Sequence, residues 1–452
     1  MEKVKWKATL FLLLSFAVGE SKAQDKKWTL EACINYAVTN NINLKRQTLQ
    51  TEVTRTNLVK SEMDLLPSLN LSSAGRVGFG RSIDPVTNLI TFKQNLSNSY
   101  SLNSNLQLFN GFSELNTITA NNYMLKAGLE NEKITRNTLI GNILGQFYLV
   151  LYSKGLEDAA KMQYDLSEKQ LFRIQKLVET GREALSKQYE IESQFSADKL
   201  SYTIARNSTS QAITNLKQML QLEPGVPFEV FFPDLDKIII PDINFNPDSV
   251  YRLASEALPR LKSIEYELKA SNKQVAAAKG AIAPSLSVGG SIYTGYYKVI
   301  SDPSATQMPF SDQLKNNNSQ AVFMSLNIPI FNNYSTARNI KLARIRKYDT
   351  DLRLALEKNS LYSDIENACL DFNRGKDEFS SAVANFDFNK KSFDAVEKKF
   401  ETGIVDVTDY SAAKTKLFRA ETEEIRTRLQ MIIRRLLIQF YATGDYEKIF
   451  NN

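Results

Sequence analysis

Two carboxylates three residues apart, Asp406 and Asp409, are the side chains in this sequence that come closest to a chemical motif. If the segment is helical, this spacing places both on one face, because residues three apart are neighbours on a helix surface. They follow Gly403, and glycine readily adopts the left-handed conformation that ends a helix. The simplest role for the pair is to cap and charge the N-terminus of the next helix, where acidic groups are stabilising.

The composition removes most catalytic chemistry. The 452 residues include no His, and the cysteines are Cys33 and Cys369 only, so His bases, His metal ligands and CxxC motifs are absent. The cysteines can bridge or stay free, and buried free thiols are favoured. Gly75, Gly78 and Gly80 lie on a strand pattern and form no phosphate loop. We therefore expect no enzyme, cofactor or metal site. The 56 Lys and Arg against 50 Asp and Glu are too balanced to indicate nucleic-acid binding.

A Glu-Thr-Gly triplet interrupts a helical pattern twice, at 179–181 and again 222 residues later, at 401–403. The helical pattern resumes after each triplet, so both are predicted to be tips of helical hairpins. The acidic pair follows only the second triplet. In the first copy the corresponding charged residues are Arg182, Glu183 and Lys187.

The tips belong to an internal duplication. Leu-Pro-Ser-Leu-Asn-Leu at 66–71 matches Ala-Pro-Ser-Leu-Ser-Val at 283–288, and Leu-Phe-Asn at 108–110 matches Ile-Phe-Asn at 330–332. Each half is predicted as helix, strand, loop, strand, very long helix, tip and helix. The expected bounds are a first repeat at 24–222 (strands near 67–80 and 99–109, helices at 112–180 and 184–221), a Pro-rich equatorial linker at 223–247, a second repeat at 248–443 (strands near 284–296 and 320–331, helices at 332–402 and 406–442) and a short tail at 444–452.

The four strand patterns alternate between apolar and small polar residues, with few charges. Each stretch of about ten residues is long enough to cross a bilayer at a tilt, and this alternation is typical of outer-membrane barrels. A soluble sheet packed on helices is the alternative. The apolar face is expected to contain Leu69, Leu71, Val77 and Phe79; Tyr100, Leu102, Leu106 and Leu108; Leu286, Val288 and Ile292; and Val322, Met324, Leu326, Ile328 and Ile330.

The predicted helices fall into short and very long ones. The opening helix of each half is expected to be uninterrupted, from Thr29 to about Met63 and from Pro247 toward Gly280. The long segments 112–180 and 332–402 contain no Pro and have helical spacing of apolar residues. At 1.5 Å per residue each would be a rod of roughly 100 Å, which needs partner helices along its length.

The N-terminus has the features of a secretory signal peptide. Lys3, Lys5 and Lys7 precede an almost entirely apolar stretch at 8–18, and cleavage is expected after Ala23. The predicted signal peptide is therefore 1–23. No later segment has about 18 uninterrupted apolar residues.

Four strands are too few to close a barrel, and an open sheet edge in lipid leaves backbone groups without hydrogen bonds. Several copies must then contribute strands. Two copies would give eight strands with a filled interior, whereas three would give twelve and a lumen. The small uncharged residues of the inward face favour three.

Taken together, residues 28–443 resemble the TolC-type outer-membrane efflux and secretion ducts. The resemblance rests on the tandem halves, the Leu-Pro-Ser-Leu strand opening, the Leu-Phe-Asn and Ile-Phe-Asn strand exits, the two Thr-Gly tips and the Val-Asp-Val-Thr-Asp segment at 405–409. It implies a mixed α and β fold in which a homotrimer forms a twelve-stranded transmembrane β-barrel, four strands per protomer, continuous with a long periplasmic α-helical barrel. The C-terminal equatorial extension of longer relatives is expected to be missing.

The resemblance also implies a function and a place in the cell. The protein is expected in the outer membrane of a Gram-negative bacterium, in contact with its lipid, as a passive exit duct. An inner-membrane pump of RND or ABC type would drive export through a periplasmic adaptor, with drugs, metals or proteins as cargo. The competing hypothesis is a soluble periplasmic coiled-coil scaffold or adaptor.

The same resemblance assigns residues to the periplasmic end. Asp406 and Asp409 match the aspartates that line the constriction, so three copies would place six carboxylates around one axis. The tips at Thr180, Gly181, Thr402 and Gly403 would contact the adaptor.

Overall fold

The computed structural model describes residues 27–83, 88, 90–92, 94–233, 244–300 and 308–450. The predicted signal peptide and residues 234–243 of the linker lie outside the described residues. Helices and strands alternate in the order α1 (Leu30–Asn40), α2 (Ile42–Met63), β1 (Ser68–Gly78), β2 (Arg81–Ile83), β3 (Ile90–Phe92), β4 (Asn95–Asn110), α3 (Ser113–Glu179), α4 (Leu185–Met219), α5 (Pro247–Ala257), α6 (Pro259–Gly280), β5 (Ser285–Val299), α7 (Phe310–Asn316), β6 (Ser319–Asn327), α8 (Ser335–Glu401), α9 (Val407–Thr443) and α10 (Glu447–Phe450).

The main sheet has the antiparallel order β1-β4-β5-β6, and β2 and β3 form a separate short hairpin. Because β1 and β6 lie at opposite ends of this order, the described sheet does not close on itself. The apolar side chains of its edge strands remain exposed, with Leu71 at 76% and Val322 at 85% of their full accessibility. A soluble sheet would bury these rows beneath its own helices. The uncovered apolar rows therefore contradict the alternative of a soluble sheet packed on helices.

A β-bulge in β4 changes which side chains share the apolar face. Gln107 pairs with Ser287, but the next pair is Phe109 with Leu286, so Leu108 is the extra residue. The alternation predicted that Leu108 lies on the apolar face. Because one inserted residue reverses the side-chain alternation, Phe109 instead lies across from Leu286 beyond the bulge.

The last strand is shorter than expected. It ends at Asn327, so Ile328 and Ile330 lie outside it. Pro329 follows this end, and proline has no backbone N–H to donate to a sheet.

The opening helix of each half is two helices where one was expected. Asn41 separates α1 from α2, and its side chain accepts hydrogen bonds from the backbone N–H groups of Asn43 (2.9 Å) and Leu44 (3.1 Å). In the second half Leu258 has extended backbone angles and Pro259 begins α6. A residue before proline is disfavoured in the helical conformation, so this break follows from local chemistry.

Three clusters of buried apolar side chains hold the helices together. One joins α1, α3, α4 and α9, and a second joins α5, α6, α8 and α9; the third lies near the two tips. Helix α9 contributes Ile432 to the first cluster and the adjacent Met431 to the second. It therefore packs on both repeats. Cys33 and Cys369 are buried free cysteines, as favoured from the sequence, and burial raises the pKa of Cys33 to about 12.

The mixed α and β fold class is confirmed. Among the described helices, none is sufficiently long and apolar to cross a membrane.

Replacing Phe372 by alanine tests the second cluster. Its ring is fully buried and packs edge-on against Phe245, with centroids 5.0 Å apart. The cavity left by Phe372→Ala should lower the free energy of unfolding by about 3–5 kcal/mol. Denaturant unfolding followed by helical circular dichroism measures this. Phe388→Ala on the same helix removes a 68% exposed ring and should change stability by no more than about 0.5 kcal/mol. Equal effects of the two substitutions would contradict this cluster.

Candidate functional site

The two tips are built in the same way. Helix α3 ends at Glu179 with Thr180 as its C-cap, and α8 ends at Glu401 with Thr402 as its C-cap. In each case the residue after the cap is a glycine with positive φ, +72° at Gly181 and +78° at Gly403. A side chain in this left-handed conformation would be strained, so the glycine of each Glu-Thr-Gly triplet has a backbone role.

Each tip closes with the two backbone hydrogen bonds of a Schellman turn, which satisfy carbonyls left free at a helix end. Each threonine hydroxyl adds a bond to the carbonyl oxygen four residues earlier. The backbone bonds run from the N–H of Gly181 to Val178 (2.9 Å) and of Arg182 to Leu177 (2.8 Å), and from the N–H of Gly403 to Phe400 (3.1 Å) and of Ile404 to Lys399 (2.9 Å).

Asp406 is the N-cap of α9. Its side chain accepts a hydrogen bond of 2.9 Å from the backbone N–H of Asp409, which lies in the first turn of the helix. Both carboxylates are exposed. The capping role suggested by the sequence is thus present for Asp406, and it leaves the charge of both groups accessible to solvent. The first tip differs, because Ala184 occupies the N-cap of α4 and forms no side-chain cap bond.

The structure brings the two tips together. The Arg173 side chain near the end of α3 donates a hydrogen bond of 2.6 Å to the backbone carbonyl of Glu401, the residue before Thr402. The same guanidinium lies 5.8 Å from the centroid of the Phe400 ring. Thr180, Gly181, Thr402 and Gly403 are all exposed at this end of the molecule. The four tip residues therefore form one surface.

An aromatic core lies beneath this surface. The rings of Phe400 and Tyr410 stack with centroids 4.6 Å apart, and Phe393 lies 5.5 Å from Tyr410. Ile174 of α3 and Ile191 of α4 belong to the same cluster, so both hairpins contribute. Burial raises the pKa of Tyr410 to about 12.

A buried lysine above this core was not identified from the sequence. The Lys414 side chain of α9 is only 3% exposed, and its ammonium donates hydrogen bonds to Asp198 Oδ2 on α4 (2.6 Å) and to Ser167 Oγ on α3 (2.5 Å). Ser167 in turn donates to Asp198. One charged group therefore connects three helices and both repeats, and we name Lys414, Asp198 and Ser167 the polar pin.

The side chains of the polar pin are largely shielded from solvent. Burial lowers the pKa of the Lys414 ammonium from its usual value, and the hydrogen bond from Lys414 to Asp198 offsets part of this effect. The burial of Lys414 could have been predicted from the sequence. Lys414 lies at helical spacing from Tyr410 and Leu417, which are both buried, so the apolar periodicity places it on the buried face of the helix. The partner Asp198 carries no comparable signal, because it lies 216 residues earlier in the chain.

No metal centre is indicated at the tips or elsewhere in the described part of the chain, where no three acidic or cysteine side chains are grouped closely enough to hold an ion.

Comparison with known proteins relates this architecture to outer-membrane channels. Residues 250–441, most of the second repeat, match the family model described as "Outer membrane efflux protein". Toxin and drug export protein A of Aggregatibacter actinomycetemcomitans is 22% identical over 329 residues, which cover 71% of this chain and 67% of that protein.

Solved structures share the fold at low sequence identity. The Campylobacter jejuni CmeC outer membrane channel superposes with a TM-score of 0.78 at 16% identity, covering 93% of this chain and 88% of that one. The open state of the Neisseria gonorrhoeae MtrE outer membrane channel gives 0.74 at 18% identity, with 92% and 89% covered. The fold is therefore that of the TolC-like channels.

Removing the positive charge of Lys414 should destabilise the packing of the helices that the polar pin connects. Lys414→Met leaves the Asp198 carboxylate, which is only 14% exposed, without its cationic partner. Breaking a largely buried ion pair in this way should lower the free energy of unfolding by about 3 kcal/mol. Denaturant unfolding measures the change. Lys416→Met, an exposed position on the same helix, is the control and should be close to neutral. The double variant Lys414→Met with Asp198→Leu should recover most of the loss, because no buried charge remains. A single variant as stable as the control would show that the pin contributes nothing.

Proposed function

Because the chain belongs to the TolC-type family of outer membrane efflux proteins, we propose that it forms the outer-membrane exit duct of a tripartite efflux or type I secretion assembly. The observation that carries this proposal is the four-stranded sheet with an exposed apolar face, joined directly to helices of 67 residues. In this proposal the sheet spans the outer membrane and the long helices extend into the periplasm. The family and the fold are those of passive channels, so the pump supplies the energy.

A homotrimer accounts for the unfinished sheet. The edges at β1 and β6 have no partner within the described sheet, and lipid does not tolerate unpaired backbone groups. Pairing β1 of one copy with β6 of the next closes a ring, and three copies give twelve strands around a lumen.

The helices support the same arrangement. Helix α2 leads into the edge strand β1 and α8 leaves the edge strand β6. Each has an exposed apolar stripe: Leu49 and Val53 on α2, and Ile345, Leu352 and Leu356 on α8. Closing the sheet between copies would bring α8 of one copy beside α2 of the next, so both stripes would become buried in a periplasmic helical barrel.

Cysteine pairs across the sheet edges test the trimer. Within one sheet β1 and β6 are three strand spacings apart, about 14 Å, too far for a disulfide. Leu71→Cys combined in turn with Val322→Cys, Met324→Cys or Leu326→Cys should therefore link different copies, and oxidation should give dimers and trimers on denaturing gels. Leu71→Cys with Val288→Cys on the interior strand β5 is the control and should stay monomeric. Monomers from every edge pair would rule out this closure.

At the periplasmic end we place the constriction at Asp406 and Asp409. Both carboxylates are exposed in one protomer, and three copies would place six around one axis. Such a ring attracts cations. The exposed surface formed by Thr180, Gly181, Thr402 and Gly403 is the proposed contact for a periplasmic adaptor, because it is the end of the molecule farthest along the helices from the sheet.

Asparagine substitutions separate the pore role from the capping role. Asn caps helices about as well as Asp, so Asp406→Asn with Asp409→Asn should preserve stability while removing six charges from a trimer. Planar-bilayer recordings should then show a clear loss of preference for cations over anions. Glu179→Gln with Glu183→Gln removes the same charge from the first tip and should leave selectivity nearly unchanged. Unaltered selectivity of the Asp variant would leave these residues with the capping role alone.

Membrane fractionation distinguishes the duct from the scaffold. A duct should remain in the outer-membrane fraction after a high-salt wash, because its apolar rows are in lipid. A scaffold bound at the surface would be released by salt, and complete release of this protein would overturn the proposed function.

A further inference from the structure

A run of basic residues opens the long helix of the second repeat. Between Ser335 and Tyr348, α8 carries five Lys or Arg and no Asp or Glu. All five are exposed, and within the described part of the chain none forms an ion pair. We name them the basic collar: Arg338, Lys341, Arg344, Arg346 and Lys347.

The fold does not require this charge. The matching segment of the first repeat, Ser113 to Lys126, holds one acidic residue, Glu114, and one basic residue, Lys126. It begins an equally long helix after a strand of the same sheet. Cations near a helix N-terminus are not favoured by the helix dipole. Helix stability therefore does not account for the excess positive charge of the second repeat.

Part of the collar lines a groove next to the sheet. A groove of about 530 Å³ between α6 and α8 is lined by Arg344 and Lys347 of the collar and by Lys279 of α6, with Asp351 as its acidic residue. Lys279 is one residue from the end of α6, and β5 begins at Ser285. If the strands cross the hydrocarbon layer, the groove begins at the level of the lipid headgroups, a layer of about 5–7 Å on each side.

The groove faces away from the central axis. The hydroxyl of Tyr362 on α8 donates to Asp248 of α5 (3.1 Å), and its ring packs edge-on against Tyr251 of the same helix. Helix α5 must lie outside a conducting tube, since a helix inside would obstruct it. Arg344 precedes Tyr362 by 18 residues, which is five turns of about 3.6 residues, so both are on the same face. In such a tube Arg344 therefore points away from the axis.

We propose that this groove binds the phosphate headgroup of an anionic phospholipid in the periplasmic leaflet of the outer membrane. Lys279, Arg344 and Lys347 supply the donors; guanidinium and ammonium groups bind phosphate through charge-assisted hydrogen bonds. Lys341 and the rest of the collar raise the local positive potential. Asp351 lies one turn beyond Lys347, away from the sheet, and repels anions there, which holds the headgroup at the sheet end. The proposal rests on the duct function, because it requires an inserted barrel.

Lipid retention tests the proposal. The full-length protein is reconstituted in phosphatidylcholine nanodiscs that contain a minor fraction of cardiolipin, extracted in mild detergent and weighed by native mass spectrometry. The wild-type oligomer should retain cardiolipin in preference to phosphatidylcholine. The variant Lys279→Gln, Arg344→Gln, Lys347→Gln should retain at least about tenfold less, since each basic residue near a headgroup strengthens the attraction several-fold.

The control removes the same charge from the same helix. Lys390, Lys398 and Lys399 are exposed near the other end of α8, about 70–80 Å from Arg344 along the helix. Replacing these three by Gln should leave cardiolipin retention at the wild-type level. Equal losses in both triple variants, or no loss in the groove variant, would overturn the proposal.

Two further arms distinguish a lipid site from a small-anion site and from a duct that does not insert. Excess inorganic phosphate should displace little cardiolipin, whereas full displacement by phosphate would indicate a small-anion site and overturn the lipid assignment. Bilayer conductance is recorded from the same preparations. Wild-type protein that conducts but retains no cardiolipin would disprove only the lipid site, whereas failure to insert and conduct would count against the duct itself.

Discussion

The rest of the structure depends on one requirement: the backbone N–H and C=O groups along the two edges of the sheet need hydrogen-bond partners. Strands β1 and β6 end the sheet without partners in the described chain, and the apolar rows beside them are uncovered. Water would satisfy the edges but not the apolar rows, and lipid would satisfy the rows but not the edges. The proposed ring of several copies in a membrane would meet both demands. The long helices share this incompleteness, because their exposed apolar stripes follow the same two edges.

Each protomer is nevertheless held as one body, and α9 is the reason. It packs between the two repeats in the middle of the molecule, with neighbouring residues such as Met431 and Ile432 in different clusters. Nearer the tips, the same helix inserts Lys414 between α3 and α4. Apolar burial supplies most of the stability in the first region. In the second, a charge that requires specific partners restricts how the two hairpins can pack.

The two tips have the same backbone conformation but different charges. Gly181 and Gly403 close equivalent turns, and Thr180 and Thr402 make equivalent hydrogen bonds. Only the second tip continues into an acidic cap, because Asp406 stands where the first repeat has Ala184. A similar asymmetry separates the two long helices near the sheet, where one begins with basic residues and the other is balanced.

Features that depend on neighbouring residues could be predicted from the amino-acid sequence. Alternation indicated strands, apolar spacing indicated helices, and the Glu-Thr-Gly triplets indicated the turns, since each pattern reflects a period of the local backbone. Together with the repeat they were sufficient for the mixed fold class, which is confirmed, and for the resemblance to outer membrane efflux proteins, whose family model matches residues 250–441. The break at Leu258 was also readable, because Pro259 restricts the residue before it.

Features that depend on partners far apart in the chain became visible only in the folded protein. The bulge at Leu108 arises where β4 pairs with β5, which lies about 180 residues later in the chain, and the ion pair of Lys414 with Asp198 joins residues 216 apart. The groove beside Arg344 exists only because α6 packs on α8. Patterns of period 2 or 3.6 record which face of an element is buried, but they do not record what buries it. The partner that covers each face is determined by the close packing of the folded chain, which brings together residues far apart in the sequence.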